Sequence, residues 1–285
     1  MLEGSPPVWV LLRGMSRESG HWGPFPVLLR EALQSCQPGA QLVLLDLPGN
    51  GDHHQETSPM QVAKMVEFCR AQLAGGGVTG PVHLLAMSLG VMVSSEWAYR
   101  YPHEVSAAVL INTSLRPFSP VYRHAQPFSY LALALLSLTR LGLRRREAKV
   151  LSMTTRMLPK PGAVLDDWVA LQRKRPVGLR NTIRQALAAA RYRASLIRPK
   201  VPLLLLCSRA DALVDWRCSQ ALSRAWGAPL RLHTQAGHDL PLDDGPWVAR
   251  AVRDWIAGMQ TPTAPGFARR PEPQAAGPGV GVPAT

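Results

Sequence analysis

The sequence predicts an α/β fold in which a mostly parallel central sheet is flanked by helices. Three observations support this prediction. Short apolar runs of strand length recur along the chain, segments with apolar residues at helical spacing separate them, and small or polar residues directly follow several of the runs. Strands that alternate with helices are expected to pair in parallel. Each helical crossover returns the chain to the end of the sheet where the previous strand began, so the next strand runs in the same direction.

Six apolar runs are the candidate strands. They cover residues 8–12, 41–47, 82–85, 105–111, 201–206 and 229–233. Between them, the spacing of apolar residues predicts helices over residues 22–33, 59–73 and 91–101. One core domain is expected from residues 1–114 and 201–259, because a chain of 285 residues with 46% hydrophobic content can bury a substantial core.

A serine stands where one predicted strand meets the following helix. Ser88 follows the run 82–85, and the small residues Ala86 and Gly90 lie two positions before and after it. In a strained strand-to-helix turn, small residues at these two positions avoid a steric clash. The pattern is typical of a nucleophile elbow, which lifts a serine hydroxyl clear of the sheet beside the free N–H groups of a helix start.

Two more residues complete a candidate catalytic triad. Asp211 and His238 each follow an apolar run, so both are expected at the carboxyl edge of the sheet. There His238 can act as general base for Ser88, and Asp211 can orient the imidazole. Asp215 and Asp239 are the rival carboxylates, but Asp215 is placed to begin a helix, and Asp239 adjoins His238, where neighbouring side chains usually diverge. Each residue alone has a structural explanation, whereas the three together favour catalysis.

The motifs around these residues occur in a recognisable order. They read VWVLLRG, HW, VLLDLPGNGDH, LLAMSLG, CSRADALVD and AGHDLP between residues 8 and 259, with one long insertion. In this order the chain resembles the α/β-hydrolase fold superfamily, and within it small bacterial serine hydrolases of the esterase type. The resemblance implies a reaction class, serine hydrolysis through an acyl-enzyme, and not a substrate. We expect a carboxylic ester to be cleaved, with no metal or organic cofactor. The alternatives are a thioesterase or amidase on the same triad, and a non-catalytic protein that docks an acidic partner.

The resemblance also implies an oxyanion hole. Members of the superfamily place a glycine-containing turn after the first strand, and the residue after that glycine donates an N–H group. Here that residue is Met15, and Leu89 supplies the second N–H group. Arg13 stands where many relatives have histidine, and it either binds an acidic group of the substrate or braces the loop. Arg13 and Trp22 are the candidate substrate-binding residues.

Residues 115–200 form the long insertion, which is expected to be a basic helical lid. The insertion contains 18 basic and 3 acidic residues, which accounts for the positive net charge of the chain, +13. Four arginines at helical spacing predict a basic ridge on it: Arg180, Arg184, Arg191 and Arg198. The apolar run 130–143 is expected to line an acyl pocket or to touch a membrane surface, and the alternative is that it packs onto the body. A solvated face explains the arginines equally well.

Composition restricts the expected partners and compartment. The expected substrate is a small-molecule ester or thioester with an anionic part, and the further candidate partners are an acidic carrier protein and an anionic lipid surface. No motif favours nucleic acid or a metal ion. No run is long enough to cross a bilayer, no secretory pattern is present, and four scattered cysteines fit a reducing, cytoplasmic location. Residues 260–285, rich in Pro, Gly and Ala, predict a disordered tail.

Overall fold

Six parallel strands form the central sheet of the computed structural model, which describes residues 6–119 and 142–260. The strands are β1 (Val8–Leu12), β2 (Gln41–Leu45), β3 (Val82–Met87), β4 (Val105–Ile111), β5 (Leu203–Ser208) and β6 (Leu230–His233). Their order across the sheet is β2-β1-β3-β4-β5-β6, and every neighbouring pair is parallel. The predicted parallel sheet is confirmed.

The central strands are apolar on both faces because helices cover both sides of the sheet. Along β3, Leu84 packs into one buried cluster and Leu85 into the other, as the two-residue period of a strand requires. β3 lies between β1 and β4, so its carboxyl end is surrounded by other strand ends. That edge of the sheet is where a site is expected in an open parallel fold.

Nine helices surround the sheet in the described part of the chain. They are α1 (Phe25–Leu33), α2 (Val62–Gly75), α3 (Leu89–Arg100), α4 (Leu143–Thr154), α5 (Pro161–Lys174), α6 (Leu179–Arg191), α7 (Trp216–Trp226), α8 (Leu240–Asp243) and α9 (Gly245–Gln260). Helices α2, α3 and α7 contribute to the cluster on one face, and α1 and α9 to the cluster on the other. None of these helices is both long enough and apolar enough to cross a membrane.

The boundary of α1 differs from the prediction. The helix begins at Phe25 instead of residue 22, because Gly23 has a φ of 53° and Pro24 is the N-cap. Trp22 belongs to a short 3-10 turn, Ser19–Trp22, and is only 1% exposed. It therefore packs in the core under the sheet, and it is not among the residues that line the candidate active-site cavity described below.

Helices α4, α5 and α6 lie between β4 and β5 and dock on the loop that follows β1. The half-buried Arg17 pairs with Glu147 of α4 at 2.7 Å, and Glu18 pairs with Arg175, which follows α5, at 3.1 Å. Gln185 of α6 is fully buried and accepts a hydrogen bond from the Ser16 N–H at 2.8 Å. Most of the apolar run 130–143 and nearly all of the predicted tail lie outside the described residues.

Candidate active site

Ser88 lies in the turn between β3 and α3, in a backbone conformation that residues with a side chain rarely adopt. Its φ is 55° and its ψ −118°. The Ser88 N–H group donates to the Ile111 carbonyl at 3.1 Å, which anchors the turn to β4. A Cβ atom at position 90 would lie 2.6 Å from the Leu12 carbonyl oxygen. Gly90 is therefore required by the close approach of β1.

His238 and Asp211 form a buried hydrogen-bonded pair in the loops after β6 and β5. The His238 Nδ1 atom lies 2.7 Å from Asp211 Oδ2, and the two side chains are 6% and 1% exposed. The other carboxylate oxygen of Asp211 accepts the N–H groups of Leu213 and Val214, at 2.7 and 3.0 Å. Because the carboxylate can only accept, Nδ1 carries the hydrogen and Nε2 is the ring nitrogen available as a base.

The pKa of His238 is raised above its ordinary value of 6.5. Burial of the ring by itself lowers this pKa, because the charged form loses its hydration. The negative charge of Asp211, its hydrogen bond to the ring and the negative charge of Asp239 together oppose burial and outweigh it. The site therefore stabilises an imidazolium, the form that a general base reaches in the transition state.

Ser88 and His238 line the same cavity, which has a volume of about 690 Å3. Gly14, Met15 and Leu89 line it as well, so the two predicted oxyanion donors belong to the cavity that contains the serine. A Cβ atom on Gly14 would lie 3.0 Å from the Ser88 Cβ atom. The glycine-containing turn after β1 thus passes directly against the nucleophile candidate.

Arg13 braces the site through a buried ion pair. Its guanidinium donates to both carboxylate oxygens of Asp239, at 3.0 and 2.6 Å, and the side chains are 4% and 3% exposed. The guanidinium also stacks over the Trp22 ring at 4.8 Å. Asp239 is thereby paired with Arg13, whereas the His238 ring pairs with Asp211. The third carboxylate, Asp215, caps α7 by accepting the Arg217 N–H at 2.9 Å.

The family of the chain follows from its match to known proteins. Residues 9–251 match the model of the alpha/beta hydrolase family. The chain is an α/β-hydrolase. This match covers most of the 285 residues and confirms the resemblance expected from the motifs.

Relatives of this α/β-hydrolase are enzymes by name. The chain is 31% identical over 245 residues to "Putative carbamate hydrolase RutD" from Cronobacter turicensis. The aligned region covers 81% of this chain and 84% of that protein. Together, the family and this relative confirm that the protein is a hydrolase.

Solved structures support the same fold at lower identity. The enol-lactonase from Burkholderia xenovorans superposes with a TM-score of 0.71 at 17% identity, covering 90% of this chain and 93% of that one. A thermophilic esterase from Thermogutta terrifontis gives a TM-score of 0.69 at 19% identity, with coverage of 90% and 92%. At this level of identity, the likeness concerns the fold alone.

Three of the four arginines of the predicted ridge lie on α6 of this α/β-hydrolase. Arg180, Arg184 and Arg191 belong to this helix. Arg184 is half-buried, and its Nε atom donates to the Ser58 carbonyl at 2.5 Å. Arg184 therefore contacts the loop before α2. None of the three arginines lines the described part of the cavity wall.

The structure does not bring Arg198 together with the other three. α6 ends at Arg191, and the backbone becomes extended at Tyr192, with φ −62° and ψ 134°. The next residues turn back to the start of the insertion, where the buried Ala194 donates its N–H to the Arg116 carbonyl at 2.8 Å. Arg198 instead donates to the Gly227 carbonyl at 3.4 Å. The seven-residue spacing continues past the helix by coincidence.

Two positioning residues of the site were not predicted from the sequence. Asn112, directly after β4, donates to the His238 carbonyl at 2.7 Å and accepts the Ser208 N–H at 2.8 Å. Two features distinguish Asn112: its φ of 48° and its position directly after a strand. Only the position can be read from the sequence. Gln185 is buried against the loop after β1, and no local pattern distinguishes it from other polar residues of α6.

No metal site is evident among the residues that the structure describes. Within residues 6–119 and 142–260, no group of three or more His, Cys, Asp or Glu side chains is arranged to hold one. His53, one of two adjacent histidines in a glycine-rich loop, contacts Glu56 at 2.7 Å and Gln72 at 3.1 Å instead.

Proposed function

We propose that this α/β-hydrolase cleaves carboxylic esters through an acyl-enzyme on Ser88. The Ser88 hydroxyl attacks the ester carbonyl while His238 Nε2 takes its proton, and His238 then returns that proton to the leaving alcohol. A water molecule, deprotonated by His238, then attacks the acyl group; the bond to Ser88 Oγ breaks, His238 returns the proton to Ser88, and the acid leaves. The observation that carries the proposal is one cavity shared by a strained serine and a histidine that is bonded to a buried carboxylate.

The oxyanion that forms in both attacks is assigned to two backbone N–H groups, those of Met15 and Leu89. Leu89 begins α3, where the first N–H groups have no partner within the helix. Removing one donor of this kind typically costs about 3–4 kcal/mol of transition-state stabilisation. The Met15 donor depends on the loop after β1, so every contact that holds this loop is relevant to the rate.

Residues 115–200 are proposed to act as a lid over this site. In the described part of the insertion, Val150 on α4, Trp168 on α5 and Ile183 on α6 line the cavity that contains Ser88. Most of the lining is apolar, which suits an acyl chain. An acidic carrier protein or an anionic lipid surface as a partner of this lid stays a prediction.

A second candidate reaction is the cleavage of a carbamate. The relative from Cronobacter turicensis is named for this substrate class. The same serine, histidine and oxyanion donors would attack the carbamate carbonyl, and only the leaving group and the product would differ. Thioesters and amides are further substrates of the same mechanism.

Active-site labelling tests the proposal directly. We expect a fluorophosphonate to label the wild-type protein and Ser95→Ala, but not Ser88→Ala. Ser95 is a matched control because it is a buried serine of α3 outside the cavity lining, without a hydrogen-bond partner in the described residues. Turnover of p-nitrophenyl esters should be lost in Ser88→Ala alone. A folded wild-type protein that takes up no label would refute the serine mechanism.

A further inference from the structure

Among the described residues, four arginines line the cavity, and acidic side chains neutralise two of them. Arg13 pairs with Asp239 and Arg17 with Glu147, each within 2.7 Å. Arg116 and Arg146 also line the cavity and are half-buried.

The other two guanidinium groups lack a counter-ion in this part of the molecule. Within residues 6–119 and 142–260, no carboxylate lies within 4.0 Å of Arg116 or Arg146. Outside those ranges, the segment 120–141 contains no Asp or Glu, and the two remaining acidic side chains, Glu3 and Glu272, stand near the ends of the sequence. The described wall of the cavity therefore carries two uncompensated positive charges.

Arg146 lies about two helical turns before the end of α4. It shares one face of α4 with Val150 and Thr154, which also line the cavity. The Thr154 carbonyl accepts the Asp239 N–H at 2.8 Å, so this end of α4 touches the His238 loop. Eight residues separate Arg146 from Thr154, which corresponds to about 12 Å along the helix axis.

A partly buried guanidinium without a counter-ion is unfavourable, and an anionic ligand removes that cost. Arginine also offers paired N–H donors that match the two oxygens of a carboxylate. We propose that Arg116 and Arg146 bind a terminal carboxylate of the substrate. The substrate class is a half-ester of a dicarboxylic acid: an apolar chain lies along the cavity, with the ester at Ser88 and the carboxylate at the two arginines. This inference rests on the proposed esterase function.

The test compares p-nitrophenyl half-esters of dicarboxylic acids with their methyl-capped, uncharged counterparts of equal length. We expect the wild-type enzyme to have a higher kcat/KM for the free acids, with a maximum at one chain length. Arg116→Met and Arg146→Met should each lower kcat/KM for the acid at least about tenfold, because one charge-assisted hydrogen-bonded pair is lost. The loss for the capped esters should be several-fold smaller, so that the preference for the free acid over the capped ester falls in each variant.

Arg145→Met is the matched control. Arg145 is exposed, lies next to Arg146 on α4 and does not line the cavity, so its replacement changes the net charge of the lid equally. It should alter kcat/KM for the acid less than about twofold. Equal losses of kcat/KM for the acid in Arg145→Met and Arg146→Met would mean that the overall positive charge of the lid attracts the substrate, and this would overturn the proposal. A wild-type enzyme without preference for the free acid would overturn it as well.

Binding to Ser88→Ala separates this inference from the esterase proposal, because it needs no turnover. Calorimetry should detect binding of the free dicarboxylate to Ser88→Ala, and tenfold weaker binding once Arg116 or Arg146 is replaced in that background. Binding without any ester turnover or labelling would refute the esterase proposal and keep the carboxylate site. Ester turnover without dicarboxylate binding would refute the carboxylate site and keep the esterase proposal.

Discussion

Replacement of Arg13 by methionine should destabilise the protein strongly. The substitution keeps most of the side-chain volume but leaves the Asp239 carboxylate, 3% exposed, without its bidentate partner. Breaking a buried ion pair by removing one member costs about 3–5 kcal/mol, because the remaining charge is buried and uncompensated. For a domain of this size, each kcal/mol lowers Tm by about 2–4 °C. We therefore expect Arg13→Met to lower Tm by about 6–20 °C.

Thermal unfolding followed by circular dichroism measures this loss. Arg144→Met is the matched control, because Arg144 pairs with Asp166 while the two side chains are 57% and 64% exposed. Exposed pairs of this kind contribute about 0–1 kcal/mol, so the control should lose only a few degrees. The double variant Arg13→Met with Asp239→Leu should recover most of the stability, since both charges of the pair are then removed and neither is left buried without its partner. Equal Tm values for Arg13→Met and Arg144→Met would refute the reasoning.

Two further predictions concern the rate. Because the pKa of His238 is raised above 6.5 and the base must be unprotonated, ester turnover should fall to half its plateau at a pH above 6.5. Asp211→Asn leaves burial as the dominant influence, so the acid limb of the pH–rate profile should move to lower pH, with kcat reduced by about 10³–10⁴; an unmoved limb would contradict the assignment. Gln185→Leu removes the acceptor of the Ser16 N–H beside the oxyanion loop, so kcat should fall about tenfold with little change in KM. Asn181→Leu, on the same helix but bonded only to the loop before α2, should lower Tm without lowering kcat; equal kcat losses in both variants would contradict a positioning role.

Much of the framework was predictable because it depends on neighbouring residues. A continuous apolar run such as the one at residues 105–111 reads as a buried strand in the sequence, and β4 has those bounds. Ser88 was recognisable because the small residues around it are needed within a five-residue turn. The helix start at Phe25 was missed, since a helical spacing of apolar residues outweighed the Gly23–Pro24 break in the prediction.

The site itself depends on contacts between distant parts of the chain, and these only the folded molecule specifies. Arg13 and Asp239 are 226 positions apart, and their pairing decides that this arginine braces the loop and that Asp211 is the carboxylate bonded to His238. The sequence pattern grouped arginines by helical spacing, whereas the cavity selects Arg116 and Arg146 by position in space. Local spacing specifies strands, turns and residue order, because those follow from backbone geometry. Which charges are neutralised, and which face a substrate, follows from packing between α4, α6 and the loops at the carboxyl edge of the sheet.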